Sequence, residues 1–344
     1  RPLWQFVVVD GLSKGRTALV QKLHHTIADG EGSVRLSIQF LDLAADAPEP
    51  PAPDPDTVHQ AEEAAHASGQ DAWRDFVAGS LRMPLGMFRQ MRGLLADPAQ
   101  LPSAGSAFAD TVHGIISQLS ETDQARSPLW TQRSTRRRLE VLRVPLADTK
   151  AAAKRLGGTL NTAFITAAAH AASEYHRRLG SPVDELRASM AVSTRTKESG
   201  ANAFTLARMV VPTGDMPIAD RFAAVQAATE VARASSATAS LETLAAVAAT
   251  LPTSIVTRLA RQQAQTVDFA TSNVRAAPFP LFIAGARILE NYPIGPLAGV
   301  AVNLTLLSYD GSLDMGLNLD AAAVTEPDLL RRAHERAFAE LLRA

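Results

Sequence analysis

Cysteine is absent from the 344 residues, which excludes disulfides, thiolate catalysis and cysteine metal sites and fits a reducing compartment. Charge imbalance is also absent. With 34 Lys and Arg against 35 Asp and Glu, the net charge is -1, which leaves no footprint for a polyanion and argues against nucleic acid as the main partner. Long apolar runs are missing too: the longest, such as residues 244–251, are too short to span a bilayer. No signal peptide is visible. The expected location is therefore cytoplasmic, or peripheral at the inner face of the membrane. There is no Walker loop and no His-Glu-x-x-His pair, and no Gly-x-Ser-x-Gly elbow is expected, so serine-hydrolase, P-loop and zincin readings are taken to lack their minimal parts. The length is sufficient for two cores of ordinary domain size.

What the chain does contain is a dense polar string, His24-His25-Thr26-Ile27-Ala28-Asp29-Gly30. Residues 16–23 read as a strand running into it, and residues 32–43 place Val34, Ile38 and Leu41 at helical spacing behind it. The string thus sits on a strand-to-helix loop, a common place for chemistry. Neighbouring residues on an extended backbone point to opposite faces, so His24 and His25 should not reach one reacting atom or one metal ion together. One histidine should work while the other packs. A neutral imidazole suits general-base removal of an alcohol proton. Asp29 would orient a histidine or lock the loop, and Gly30 would allow a tight turn or a close backbone approach. The competing reading is a structural histidine pair with a helix-capping aspartate.

With the upstream Pro2-Leu3-Trp4, the string HHxxxDG resembles the bacterial wax ester synthase/diacylglycerol acyltransferase family, whose wider superfamily includes chloramphenicol acetyltransferase and peptide-synthetase condensation domains. The resemblance implies an α/β fold of two chloramphenicol acetyltransferase-like subdomains with mixed sheets. It also implies transfer of an acyl group from acyl-CoA to the hydroxyl of diacylglycerol or a long-chain alcohol. His25 would be the base and Asp29 a structural residue paired with an arginine, for which Arg195 is the candidate. No cofactor is implied, acyl-CoA being a substrate, and a membrane or lipid-droplet surface is a further expected partner. Because the chain opens at Arg1 inside a family landmark, the first subdomain is expected to be incomplete, and the chain alone to be poorly soluble and inactive.

The organisation expected is a remnant of the N-terminal subdomain over 1–46, a Pro-rich linker and amphipathic crossover over 47–127, and a C-terminal subdomain over 128–344. Within 61–96 two amphipathic helical stretches, broken at Pro84, combine arginines with Met and aromatics, which suits either a lipid interface or ordinary core packing. Strands are expected at 4–9, 138–144, 188–193, 204–211, 267–274, 282–289, 300–307 and 313–319. Helices are expected at 147–156, 161–178, 218–234, 241–263 and 326–342. Further landmarks of the resemblance are Gly157-Gly158-Thr159-Leu160-Asn161, Ser193-Thr194-Arg195, Ser272-Asn273-Val274 and Ser308-Tyr309-Asp310-Gly311. Asn273 and Asn161 are candidates for substrate or oxyanion contact. The family's Asn-Asp pair is Asn161-Thr162 here, a departure that bears on activity. His170 and His176, six apart on a helix, are read as structural or solvated, and His59, His66, His113 and His334 as lying in polar or loop contexts with no partner pattern. Two alternatives stand beside the main reading: a weakly active or non-catalytic lipid-binding homologue, and a condensation-type acyltransferase acting on another hydroxyl.

Overall fold

The computed structural model describes residues 3–25, 27–28, 30–48, 55–56, 125–193, 204–236 and 266–344. The chain divides into two compact units, Arg1–Ala45 with Leu119–Ala344, and Asp46–Gln118. Nearly all of the second lies outside the described residues, as do the expected helices within 61–96 and at 241–263.

The first unit is built on a six-stranded mixed sheet. Its strands are β3 (Arg137–Pro145), β4 (Glu185–Ser193), β5 (Phe204–Pro212), β6 (Phe269–Arg275), β9 (Val302–Tyr309) and β10 (Ser312–Asp320), in the order β3-β10-β9-β6-β4-β5. β6 runs parallel to both β9 and β4, and the other pairs are antiparallel. Parallel neighbours need crossover connections; the one from β6 to β9 runs through residues 276–301 without a helix, and helices accompany the other strands. These helices are α2 (Leu146–Arg155), α3 (Leu160–Arg178), α4 (Ile218–Ser236) and α5 (Pro327–Arg343).

Local sequence explains most of these boundaries. Gly157, at φ +80°, ends α2, a left-handed position that suits glycine. Thr159 then caps α3 in a reciprocal capping box with Thr162. α3 is rich in alanine, so neighbours approach it closely, and it is buried from Thr162 to His176 almost without interruption. On α5 the buried residues Leu330, His334, Ala337 and Leu341 fall on one helical stripe. One continuous core joins these helices to Leu304 and Leu306 of β9 and Met315 and Leu317 of β10.

The opposite face of the sheet is covered by the segment after β6. There Asn303 Nδ2 donates to Pro296 O at 2.7 Å, and Asn318 Nδ2 donates to Gly295 O at 2.9 Å. Side-chain amides from two strands thus satisfy a loop that has no sheet partner of its own. A two-stranded hairpin, β1 (Trp4–Leu12) and β2 (Arg16–Leu23), and the short helix α1 (Gly30–Ser37) complete the unit. On this hairpin Trp4, Val8 and Val20 are exposed, as is Ile38 after α1.

Several expectations are corrected. The strand expected over 282–289 is a small hairpin of β7 (Phe282–Ile283) and β8 (Ala286–Arg287), because Ala284 and Gly285 both take positive φ and reverse the chain. The helix expected at 32–43 starts at Gly30 and ends at Ser37. A 3₁₀ turn, Ile38–Phe40, follows, and Leu41 is extended so that Asp42 can pair with Phe282. The strand expected over 4–9 continues through a bulge at Asp10-Gly11 to Leu12, and the chain reverses at Ser13–Gly15. His334, read as lying in a polar or loop context, is 2% exposed on α5.

Two outcomes follow for stability. Ala284 sits at φ +46°, where an alanine side chain is strained and asparagine is better tolerated. Ala284→Asn on this exposed turn should raise stability by about 0.5–1 kcal/mol, read as a melting-temperature rise of about 1–3 °C. Burial lowers the pKa of His334 to about 4, and its Nδ1–H donates to Leu330 O at 2.8 Å. Since the unfolded value is about 6.5, the unfolded chain binds the extra proton first, and stability present above that value is lost as pH falls toward 4. His334→Asn should therefore remove about 2 kcal/mol of the stability lost between pH 7 and pH 5, measured by denaturant titration at both pH values.

Candidate active site

The hairpin β1–β2 delivers the histidines. Its register pairs Trp4 with Leu23, and the backbone N–H of His24 donates to Leu3 O at 2.7 Å, so the ladder continues into the motif. Ile27 N–H then donates to His24 O at 2.9 Å, which turns the chain directly after the strand. His24 and His25 are both exposed, and Ala28 is buried. Thr26 and Asp29 lie outside the described residues. Gly30 opens α1.

Gly30 is also where the motif meets the sheet. A Cβ at this position would lie 2.8 Å from Val274 Cγ2, closer than two carbons can approach, so only glycine fits without a shift. Val274 belongs to Ser272-Asn273-Val274 at the end of β6, and it sits in an apolar cluster with Leu281, Leu307 and Tyr309, onto which Val34 and Leu41 also pack. The structure thus brings together two strings that the sequence holds far apart.

Side chains alternate along a strand. Val274 faces the cluster, while Asn273 stands on the other face, opposite Leu306 in the parallel register, and is exposed. Asn161, in the first turn of α3, extends its Nδ2 to Met190 Sδ at 3.7 Å. Met190 pairs with Thr271, two residues before Asn273. Asn161 and Asn273 therefore approach the same face and the same end of the parallel strands β4 and β6. Arg195, the candidate partner of Asp29, lies outside the described residues, as does Thr194.

Other chemistries are settled by position. Gly11-Leu12-Ser13-Lys14-Gly15 does carry the Gly-x-Ser-x-Gly spacing of a nucleophile elbow, so that string is present after all. An elbow, however, requires a strand turning into a helix, and these residues form the tip of an antiparallel hairpin with Ser13 exposed. A second serine pairs with a histidine: Ser127 Oγ lies 2.7 Å from His176 Nε2, and the His176 Nδ1–H donates to Ala172 O at 2.8 Å. Ser127 is 4% exposed and His176 0%, so no substrate reaches them, and burial holds the imidazole pKa below its ordinary value. This pair is a brace. Among the described residues no three His, Asp or Glu side chains are grouped to hold a metal ion, and no helix is long and apolar enough to cross a membrane.

Comparison with known proteins decides the family. The catalytic-domain model of wax ester synthase/diacylglycerol acyltransferase matches residues 1–164, and the C-terminal-domain model of the same family matches residues 200–342. A Mycobacterium tuberculosis protein assigned as a diacylglycerol O-acyltransferase is 30% identical over 99% of this chain and 70% of its own length. The chain belongs to the wax ester synthase/diacylglycerol acyltransferase family. A Mycobacterium bovis protein with the same kind of assignment is 28% identical over 99% of this chain and 73% of its own. Among solved structures, the wax ester synthase/diacylglycerol acyltransferase of Marinobacter aquaeolei VT8 superposes with a TM-score of 0.65 at 18% identity, covering 99% of this chain and 72% of that one. A nonribosomal peptide synthetase gives 0.54 at 14% identity, over 100% of this chain and 34% of that one. The α/β fold with its mixed sheet is thus that of the acyltransferases and condensation domains, and the protein is an acyltransferase.

Within this wax ester synthase/diacylglycerol acyltransferase chain, Thr162 occupies the place where the resemblance expects an aspartate. It is fully buried. Its hydroxyl completes the Thr159 capping box, 2.9 Å from Thr159 Oγ1, and donates to Gln226 Oε1. A neutral N3 residue here caps α3 without taking a charge out of water.

The contact at Gly30 yields a direct test. Gly30→Ala should push α1 away from Val274 and lower acyl transfer, and Val274→Ala in the same chain should restore much of the loss. A Gly30→Ala protein with full activity, or a double variant with no recovery, would contradict the docking.

Proposed function

We propose that the protein transfers a fatty acyl group from acyl-CoA to the hydroxyl of diacylglycerol or a long-chain alcohol, with His25 as the general base. The observation that carries this reading is the seating of Gly30 on Val274. It ties the loop bearing an exposed histidine pair to the strand end bearing Asn273. Names of relatives as diacylglycerol O-acyltransferases support the acceptor class.

The reaction runs in one ternary complex. His25 takes the hydroxyl proton as the alcohol oxygen attacks the thioester carbonyl, and the tetrahedral oxyanion collapses as the C–S bond breaks. The imidazolium then gives its proton to the departing CoA thiolate. Bonds and protons balance with no acyl-enzyme and no cofactor. Asn273 is the candidate donor to the oxyanion, since its amide projects from the strand that touches the motif, and Asn161 lines the same end of the sheet. The family resemblance gives Asp29 a loop-shaping role with an arginine partner, for which Arg195 remains the candidate. Water-insoluble acceptors require the site to draw them from a lipid surface, which makes a membrane face or lipid droplet the working environment.

Replacement of the histidines checks the assignment. His25→Ala should lower turnover by about 10²–10⁴-fold, the usual contribution of a positioned general base, while His24→Ala costs less. Assays with diacylglycerol, with hexadecanol and without acceptor identify the acceptor and expose a non-catalytic lipid binder. Equal losses at both histidines, or an active His25→Ala protein, would refute the base.

A further inference from the structure

Tyr309 takes no part in the chemistry above, yet its hydroxyl is doubly used. The residue is fully buried beside Val274, Leu281 and Leu307. Its Oη accepts a hydrogen bond from Leu281 N–H at 2.9 Å and donates one to Ile288 O at 2.9 Å. Leu281 and Ile288 are the residues that close the β7–β8 hairpin, joined by a further bond from Ile288 N–H to Leu281 O at 2.9 Å. The next residue, Phe282, exchanges two backbone bonds with Asp42: Asp42 N–H to Phe282 O at 2.8 Å, and Phe282 N–H to Asp42 O at 2.9 Å. Asp42 lies just beyond α1, whose Val34 packs in the same cluster and whose Gly30 rests on Val274. One phenol therefore braces the hairpin that grips the segment behind the histidine loop.

We propose that Tyr309 is a positioning residue for acyl transfer: through the Leu281–Ile288 hairpin and Asp42 its hydroxyl fixes α1, and with it the loop that carries His25. It touches no substrate. The proposal rests on the reading of His25 as the base. The main chain of Tyr309 pairs with Ser312 in the β9–β10 ladder whatever its side chain does. Removing the hydroxyl thus spares the sheet and strips one buried backbone N–H, of Leu281, and one half-buried carbonyl, of Ile288, of their partner at the hairpin alone.

The test compares Tyr309→Phe with Val324→Ala, which trims the helix-side core by α5, and with Asp42→Pro, which deletes the N–H to Phe282. Lost positioning reduces kcat and kcat/KM together. Tyr309→Phe and Asp42→Pro should each lower kcat by about 10–100-fold with the KM for acyl-CoA unchanged, and in Tyr309→Phe the amide of Phe282 should exchange its hydrogen faster while those of β4 and β6 hold. Val324→Ala should keep its kcat despite a lower melting temperature. Should Tyr309→Phe fail to fold, Asp42→Pro alone decides the matter. Retained kcat in Asp42→Pro or Tyr309→Phe while His25→Ala is inactive would overturn the positioning role and leave the base assignment intact. A kcat that falls with melting temperature equally in Val324→Ala would overturn it as well. An active His25→Ala protein refutes the base instead, and unchanged exchange at Phe282 then removes the brace independently.

Discussion

The contact on which the proposed active site depends is the absence of a side chain at Gly30. Helix α1 can reach the end of β6 only because nothing stands between the Gly30 backbone and Val274 Cγ2. General-base catalysis requires the imidazole within hydrogen-bond reach of one particular hydroxyl, and misplacement by about an ångström is costly. A long hairpin with both histidines on its exposed end would not supply that precision alone. The apolar cluster of Val274, Leu281, Leu307 and Tyr309 seats α1 and the residues after it, and under the proposed mechanism that seating is what holds the imidazole in place.

Elsewhere in the sheet's surroundings several buried polar groups act as braces. Asp268, fully buried, accepts from three backbone N–H groups, those of Arg126, Ser127 and Arg187, at 3.1, 2.8 and 2.7 Å. It so ties the segment leading to β3 onto both β4 and β6. Ser127 and His176 lock the same segment to α3. A buried carboxylate is tolerable only when its lone pairs are used in this way. These braces hold the sheet that carries Asn273 and Val274, and so belong to the support of the site, although none of them touches it.

Elements whose cause is local were legible from the residues. Thr159 and Gly157 mark the start of α3 and the end of α2, Asp310-Gly311 marks the β9–β10 turn, and the apolar runs of those strands match their burial on both faces. Elements whose cause is a distant partner were not. Nothing near Leu41 says that α1 must stop so that Asp42 can meet Phe282, and nothing in residues 282–289 shows that Ala284 will accept a strained left-handed turn. The string at Gly11 to Gly15 carries a motif's spacing without its strand-to-helix setting. Of the site, the histidines and Gly30 could be picked out by residue type, whereas the role of Tyr309 rests on a hydroxyl that only the folded chain places between Leu281 and Ile288.

The central claim is that the acyl group passes directly from CoA to the acceptor oxygen, with a histidine held in place by docking on β6 and no covalent stop on the protein. Rapid quenching of the protein with labelled acyl-CoA, followed by mass measurement of the intact chain, examines this most directly. The account predicts an unmodified mass at every time point, and stoichiometric release of CoA only when a hydroxyl acceptor is present. A chain heavier by one acyl group, or release of CoA at the same rate without acceptor, would contradict it.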